Sequence, residues 1–253
     1  MTTATEPVTR RVEHVMGMPI SLALRGRHTH GPEADAAWAA VLDALRVADR
    51  VFSTYRPDSV VSRVNAGSLA LDDAPADVHE VLAIAARANR ATDGAFSVWR
   101  DGTLDPSGVV KGWATQRAAA ALRALPDTDV CLSAGGDLVG WSAGEPWRIG
   151  IEDPRDPTRL VATVPLTDGA VASSGTAHRG AHLVDARTGS APEGIAGVTV
   201  LAASLTDADV DATAAFALGT DALAWLRRRV GRTGLVVWAD GTAETFSHGP
   251  RRR

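Results

Sequence analysis

The chain is poor in several residue types whose presence would indicate particular classes of protein. Its 253 residues include one cysteine, Cys131, so a framework of intrachain disulfides is excluded. Cys131 lies in the apolar run DVCLSAGG, and no base is placed beside it in sequence, which favours a buried structural thiol over a nucleophile. No stretch approaches the roughly 18 apolar residues of a membrane-spanning helix, so we expect no membrane span.

Lysine is almost absent, because 26 positions are lysine or arginine and Lys111 is the single lysine among them. A compact ammonium and a planar guanidinium differ in geometry and hydration, so one lysine in an arginine-rich chain is a candidate for a specific task. The alternative, to which we give equal weight, is a surface lysine that is present by chance and has no specific role. The formal net charge of -4 provides no overall attraction to nucleic acid or to an anionic membrane, and we expect neither as a partner.

The motifs of the common nucleotide-binding folds are also missing. The sequence has no G-x-G-x-x-G after a strand and no G-x-x-x-x-G-K-[ST]. His178 and His182 have a spacing that could suit zinc, but Gly175 and Gly180 argue against a helix there, and no cysteine pair completes such a site. We therefore expect no zinc.

What is present is the composition of an ordinary globular protein, with 45% apolar and 22% charged residues. The first residues, MTTATEPVTRR, lack the apolar segment of a secretory signal, so we expect a soluble, cytoplasmic protein. Since no repeat or linker interrupts the chain, we expect one α+β domain over residues 1–253, with mixed or antiparallel sheets and packed helices. Its core is expected at about 12–247, between disordered tails.

Periodicity and turn signals predict alternating strands and helices, with a polar loop at about 52–67. The predicted helices are 34–52, 78–91, 113–125, 207–218 and 221–229. The predicted strands and extended segments are 11–24 (broken at Met16-Gly17-Met18), 95–99, 129–133, 147–151, 160–166, 171–175, 182–185, 198–202, 235–238 and 242–246.

The sharpest chemical signal is a pair of oxygen ligands on one predicted helix. Asp209 and Thr213 are four residues apart, so their side chains share one face near the helix start. A carboxylate and a hydroxyl there could hold a hard cation such as Mg²⁺. The alternative, favoured on these residues alone, is an ordinary helix start, with Thr206 or Asp207 as the cap.

Two further clusters lie on predicted loops. Gly135-Gly136-Asp137 follows a strand, where it could let the backbone approach a ligand closely or simply form a tight turn. Ser173-Ser174-Gly175, together with His182 and Asp185, places hydroxyls, an imidazole and a carboxylate in one region. Ordinary turn chemistry would explain either cluster.

Taken in order, however, a series of short segments resembles one family, the FAD:protein FMN transferases (ApbE-type flavin transferases). The resemblance spans about residues 14–240. The matching segments are Met16-Gly17, STYRPDS at 53–59 with Ser62 and Asn65, Gly94-Ala95-Phe96, Asp105-x-x-Gly108-x-x-Lys111-Gly112, Gly135-Gly136-Asp137, WRIGIEDP at 147–154, Ser174-Gly175, HLVDxRTG at 182–189 and ADxxATA at 208–214.

The resemblance implies a T-fold-like α+β architecture and a concrete reaction. Such enzymes bind FAD and Mg²⁺, with Mn²⁺ as an alternative, and split the pyrophosphate. They attach FMN through a phosphoester bond to a Thr or Ser of a target flavoprotein and release AMP. The implied metal ligands are Asp209, Thr213 and the carbonyl of Gly108. The implied FAD contacts are Met16, Tyr55, Ala95, Phe96, Ser97, Asp105, Lys111 and Leu183.

The implied roles suit these residue types. Tyr55, the only tyrosine, offers an aromatic face to a flavin or adenine ring. Lys111 offers a point charge or a hydrogen-bond donor. His182 is the candidate for accepting the proton of the target hydroxyl, because its ordinary pKa lies near neutrality. The catalytic set is therefore His182, Asp209 and Thr213.

Two positions depart from the family pattern, since Ser97 replaces an Asp and Ala186 replaces a Pro. The family's common export signal and lipid-bearing cysteine are not found either. Two other functions stay open, namely hydrolysis of FAD to FMN and AMP, and flavin binding without catalysis. The presence of both Asp209 and Thr213 argues against flavin binding without catalysis, because a protein that only binds flavin needs no pair of metal ligands. Transfer and hydrolysis differ only in the nucleophile, which these residues do not distinguish.

Overall fold

An eight-stranded antiparallel sheet forms the centre of the computed structural model, which describes residues 7–176 and 184–248. In chain order the strands are β1 Thr9–Val15, β2 Met18–Gly26, β3 Trp99–Arg100, β4 Thr103–Leu104, β5 Thr128–Ala134, β6 Asp137–Trp141, β7 Trp147–Asp153, β8 Asp156–Leu166, β9 Asp168–Gly175, β10 Ile195–Ala202, β11 Thr233–Trp238 and β12 Ala243–Ser247. The main sheet has the order β1-β2-β5-β6-β9-β10-β11-β12, while β3–β4 and β7–β8 form separate hairpins.

Helices connect and cover these strands. They are α1 Pro32–Phe52, α2 Val60–Asn65, α3 Ala76–Ala91, α4 Ser107–Ala118, α5 Leu205–Ala217 and α6 Ala222–Leu226, with 3₁₀ turns at Leu71–Asp73, Ala119–Ala124 and Gly219–Asp221. Helix α5 packs on β9 and β10, α4 packs on α5, and α1 packs on α4. The helices therefore form a layer on one face of the main sheet.

Strict alternation of side chains divides β9 between two cores. Ala170 and Ala172 belong to the large core under the helices, whereas Val171 packs with Trp147 and Leu166 of the β7–β8 hairpin. Successive residues of a strand point to opposite faces, so the hairpin covers the face of the sheet that the helices leave. The sheet is thus enclosed by helices on one side and by a hairpin on the other.

Most predicted elements are confirmed, together with the α+β class and its antiparallel pairing. The break predicted at residues 16–18 is the turn between β1 and β2. The segments predicted at 147–151 and 160–166 are the two arms of one hairpin, β7–β8. The predicted strand 182–185 falls partly, and the expected tails largely, outside the described residues.

Several boundaries were predicted wrongly. The strand expected at 95–99 begins only at Trp99, because side chains capture the preceding backbone: the Phe96 amide donates to Thr92 Oγ1 at 3.1 Å, and Asn89 Nδ2 donates to the Phe96 carbonyl at 2.8 Å. The polar loop at 52–67 contains α2, which Ser59 caps by accepting from the Ser62 amide at 3.0 Å.

The helices α4 and α6 also differ from expectation. Helix α4 begins at Ser107, six residues before the predicted start, and gives way after Ala118 to a 3₁₀ turn. Helix α6 ends at Leu226 instead of reaching 229. Helix α5 begins at Leu205, and its cap is Ser204, whose Oγ accepts from the Asp207 amide at 3.2 Å; neither Thr206 nor Asp207 is the cap.

No helix in the described ranges is long and apolar enough to cross a membrane.

Candidate active site

A cavity of about 600 Å³ opens at the end of the main sheet where the β1–β2 and β5–β6 turns lie. The start of α4 and the inner face of α5 form its floor, and β7 forms the opposite wall. This volume is in the range of small-molecule sites. Strands β9 and β10 contribute as well. The lining residues include Gly17, Gly108, Lys111, Gly136, Asp137, Ile149, Glu152, Ser173, Ser174, Thr199, Asp209 and Thr213.

Lys111 lies between two buried carboxylates in the floor. Its Nζ is 2.9 Å from Asp209 Oδ1 and also forms an ion pair with Asp137 Oδ2. Both aspartates are almost inaccessible, with 1% of Asp209 and 2% of Asp137 exposed, whereas 18% of the lysine side chain reaches solvent. One ammonium therefore faces two carboxylates, which leaves this floor with an excess of one negative charge.

The second oxygen of Asp209 is fixed by the backbone of α4. The Gly112 amide donates to Asp209 Oδ2 at 2.8 Å across the contact between α4 and α5. That approach requires glycine, because a Cβ at position 112 would lie 2.6 Å from Asp209 Cβ. The start of α5 is held to α4 as well, since Gln116 Oε1 accepts from the Leu205 amide at 2.6 Å.

Thr213 lies one helical turn after Asp209 and faces the same cavity. Its Oγ1 is 3.1 Å from Ser174 Oγ on β9, and its methyl group would be 3.4 Å from a Cβ placed on Gly108. Gly108, Lys111, Asp209 and Thr213 are thus brought together by the packing of α4 against α5. Asp209 supplies a carboxylate, Thr213 a hydroxyl and Gly108 a backbone carbonyl, which are the hard oxygen ligands that suit Mg²⁺.

Asp137 was missing from the predicted site residues, as were Ser173 and Thr199. Asp137 begins β6 directly after the Gly135-Gly136 turn, and its Oδ1 accepts from the Ser173 amide at 2.9 Å. Ser173 Oγ is in turn 2.8 Å from Thr199 Oγ1. The glycine pair before Asp137 was the available signal, since such a turn lets a backbone approach a ligand. No sequence pattern indicated the ion pair between Asp137 and Lys111.

The other proposed flavin contacts lie at varying distances from this floor. Phe96 packs behind it, with Cε2 3.2 Å from a Cβ placed on Gly108, and Ala95 is fully buried beside it in sequence. Met16 occupies the β1–β2 turn next to the lining residue Gly17. Tyr55 is 96% exposed on the loop before α2.

Ser97 and Asp105 make local backbone contacts. Ser97 Oγ accepts from the Trp99 amide at 3.0 Å, and Asp105 Oδ1 accepts from the Ser107 amide at 3.0 Å at the start of α4. His182 and Leu183 lie outside the described residues, so their assignments stay predictions. In the described ranges no three His, Cys, Asp or Glu side chains form a metal-binding group; the implied ligand set contains only one carboxylate.

The fold and the cavity define an α+β protein with a cavity of small-molecule size, whose floor holds two carboxylates bridged by one lysine. The chain belongs to the ApbE family, whose model matches residues 16–99 and 98–236. The family resemblance seen in the short segments is therefore confirmed.

One curated relative, an FAD:protein FMN transferase of Rhodobacter capsulatus, is 29% identical over 207 residues, which is 77% of this chain. The chain spans 37% of that relative's length.

Solved structures of ApbE proteins share the fold over nearly the whole chain. The ApbE protein of Thermotoga maritima superposes with a TM-score of 0.80 at 22% identity, covering 95% of this chain and 97% of that one. The apo flavinyl transferase ApbE of Pseudomonas stutzeri gives 0.81 at 24% identity, with 98% and 97% covered. The flavin transferase ApbE of Vibrio cholerae gives 0.79 at 21% identity, with 96% and 98% covered. These similarities establish the architecture.

Proposed function

We propose that this protein is an Mg²⁺-dependent FAD:protein FMN transferase. It would cleave FAD, attach FMN through a phosphoester bond to a Thr or Ser of a target flavoprotein, and release AMP. The observation that carries the proposal is the meeting of Gly108, Lys111, Asp209 and Thr213 at the floor of one cavity. Membership of the ApbE family and the activity named for the Rhodobacter capsulatus relative support it.

The floor suits a divalent cation in charge and in ligand type. Its two buried carboxylates face one ammonium, so an additional cation would relieve uncompensated negative charge. Asp209 and Thr213 would supply two oxygen ligands and the Gly108 carbonyl a third. When bound, Mg²⁺ neutralises charge that develops on the pyrophosphate oxygens.

The hydrogen bonding of α4 is compatible with the Gly108 carbonyl as a ligand. In a regular α-helix the amide of residue 112 donates to the carbonyl of residue 108. Here the Gly112 amide donates to Asp209 Oδ2 at 2.8 Å. Since a carbonyl oxygen has two lone pairs, the Gly108 carbonyl has acceptor capacity beyond one helical bond.

Lys111 would bind the phosphates through its positive charge. Its side chain remains 18% exposed at the cavity floor, so the ammonium can reach an anionic substrate while it stays paired with Asp137. As a point charge it would hold phosphate oxygens without demanding one orientation. Holding the flavin-side phosphorus in line with the attacking oxygen would supply much of the catalysis.

The transfer itself is a single displacement at phosphorus. The acceptor hydroxyl oxygen forms a bond to the flavin-side phosphorus, and the bond from that phosphorus to the bridging oxygen breaks. AMP leaves with the bridging oxygen, and the hydroxyl proton passes to a base. His182 is our candidate for this base, and Leu183 for a flavin contact.

The test combines purified protein, FAD and Mg²⁺ with an acceptor flavoprotein that carries a candidate Thr or Ser. We expect covalent flavin fluorescence on the acceptor and release of AMP, both lost with EDTA. Asp209→Ala should lower the rate by at least about 100-fold, because it removes a buried charged ligand. Asp207→Ala is the matched control, since Asp207 lies on the same helix but pairs with Arg232 outside the cavity, at 3.3 Å.

The outcomes separate three functions. Cleavage of FAD without label on the acceptor would indicate a hydrolase that uses water as the nucleophile. Tight binding of FAD without cleavage would overturn the enzymatic proposal. Labelling that persists in Asp209→Ala would overturn the assigned metal site.

A further inference from the structure

Both oxygens of Asp209 already have partners within the protein. Oδ2 accepts from the Gly112 amide at 2.8 Å, and Oδ1 lies 2.9 Å from Lys111 Nζ. A divalent cation on Asp209 would therefore meet an ammonium bound to the same carboxylate. Two positive charges at such a short separation repel strongly in a buried site.

Asp137 is a second carboxylate partner for the Lys111 ammonium. Its Oδ2 forms an ion pair with Lys111, and its Oδ1 accepts from the Ser173 amide at 2.9 Å. Asp137 belongs to the main sheet, at the first residue of β6, whereas Asp209 belongs to α5. The carboxylate that can retain Lys111 is thus fixed independently of the helix that carries the proposed metal ligand.

We propose that Asp137 is a positioning residue that holds Lys111 when a divalent cation occupies Asp209. The ammonium then gives up its contact with Asp209 Oδ1 without losing its other buried partner. This inference rests on the proposed function, because it takes Asp209 as a metal ligand. It assigns to Asp137 a role in metal affinity, without direct coordination.

Metal binding is measured on the full chain with Mn²⁺ alone, by following free Mn²⁺ with electron paramagnetic resonance. Asp137→Asn should weaken Mn²⁺ binding about tenfold or more, because, among the residues that the structure describes, Asp209 is then the carboxylate left in an ion pair with Lys111. Lys111→Gln should tighten binding, because the competing ammonium is gone. Asp207→Asn is the control, since Asp207 lies on the same helix as Asp209 but is half-exposed and pairs with Arg232 outside the cavity.

The double variant distinguishes positioning from simple charge. If Asp137 acts through Lys111, the loss caused by Asp137→Asn should shrink at least about threefold in the Lys111→Gln background. A carboxylate that acted only by its own charge would matter more once its ammonium was removed. An equal or larger effect in that background would therefore overturn the inference.

Two further results bear on it separately. Unchanged Mn²⁺ affinity in folded Asp137→Asn would overturn the positioning role and leave the proposed function standing. If Asp137→Asn fails to fold, Lys111→Gln decides alone, since a failure to tighten binding contradicts the competition. Wild-type protein that binds no Mn²⁺ in an Asp209-dependent way would overturn both the inference and the metal site.

Discussion

Replacing Gly112 by alanine should damage both stability and the candidate site, although alanine ordinarily strengthens a helix. A Cβ at this position would lie 2.6 Å from Asp209 Cβ and 2.7 Å from the Leu205 carbonyl oxygen. Carbon atoms in contact prefer separations of roughly 3.5–4.0 Å, so α4 and α5 would have to separate by about 1 Å. Backbone and Cβ atoms cannot yield as a flexible side-chain end does.

The magnitude follows from three contributions. Overpacking a close contact costs about 1–3 kcal/mol. Stretching the Gly112 amide bond to the Asp209 carboxylate, 2.8 Å long, would remove a charge-assisted hydrogen bond worth about 1.5–3 kcal/mol. The higher helix propensity of alanine stabilises the variant by about 1 kcal/mol. We expect a net loss of about 1.5–5 kcal/mol, from these contributions together.

Urea unfolding followed by circular dichroism measures the change, and FAD cleavage measures the site. A shift of about 1 Å at Asp209 should lower the cleavage rate about 100-fold. Gly144→Ala is the matched control, because no atom lies within 4 Å of its added Cβ and its stability should change by less than about 0.5 kcal/mol. A Gly112→Ala protein as stable as the wild type would refute the close contact.

Three other predictions concern the scaffold. Burial raises the pKa of the Cys131 thiol from 9.0 to about 11, so the unfolded chain loses this proton first. The resulting stability is fully present below pH 9 and is lost as pH rises towards 11, by at most about 3 kcal/mol. If the urea midpoint of Cys131→Ala fell between pH 9 and 11 as much as that of the wild type, the thiol would not be the cause. Asp211→Asn should cost about 3–5 kcal/mol in urea unfolding, because Asp211 is 2% exposed and accepts from Arg229 at 2.8 Å and Arg232 at 2.6 Å; an unchanged midpoint would count against a buried ion pair. Asn65→Ala should cost about 2–4 kcal/mol and speed hydrogen exchange at Leu104, whose amide and carbonyl Asn65 bonds at 2.8 and 2.9 Å; slow exchange there in the variant would show that other contacts fix β4.

Local patterns predicted those parts of the fold whose stability is local. The strand β5 alternates between two cores, and the helix that carries Asp209 and Thr213, predicted at 207–218, spans Leu205–Ala217. Helix α4 gave a weaker signal because it is buried on several sides, so apolar and small residues surround Lys111. Its predicted start was therefore late.

The pairings within the candidate site depend on distant segments and could not be read from spacing. Lys111 meets Asp137 from β6 and Asp209 from α5, and only the folded sheet and helix layer bring the three together. The close approach at Gly112 is equally long-range, because its partner Asp209 is 97 residues away. The late start of β3 has a local cause instead, because the side chains of Thr92 and Asn89 bind the backbone of Phe96.

The position of the only lysine makes the cavity floor open to selective observation. Protein grown with isotope-labelled lysine would carry one labelled side chain, and its ammonium signal in nuclear magnetic resonance would come from Lys111 alone. Amine-directed reagents would likewise have one side-chain target, 18% exposed inside the cavity. Filling the cavity with a ligand would then appear as protection of a single chemical group, without the background that lysines elsewhere usually contribute.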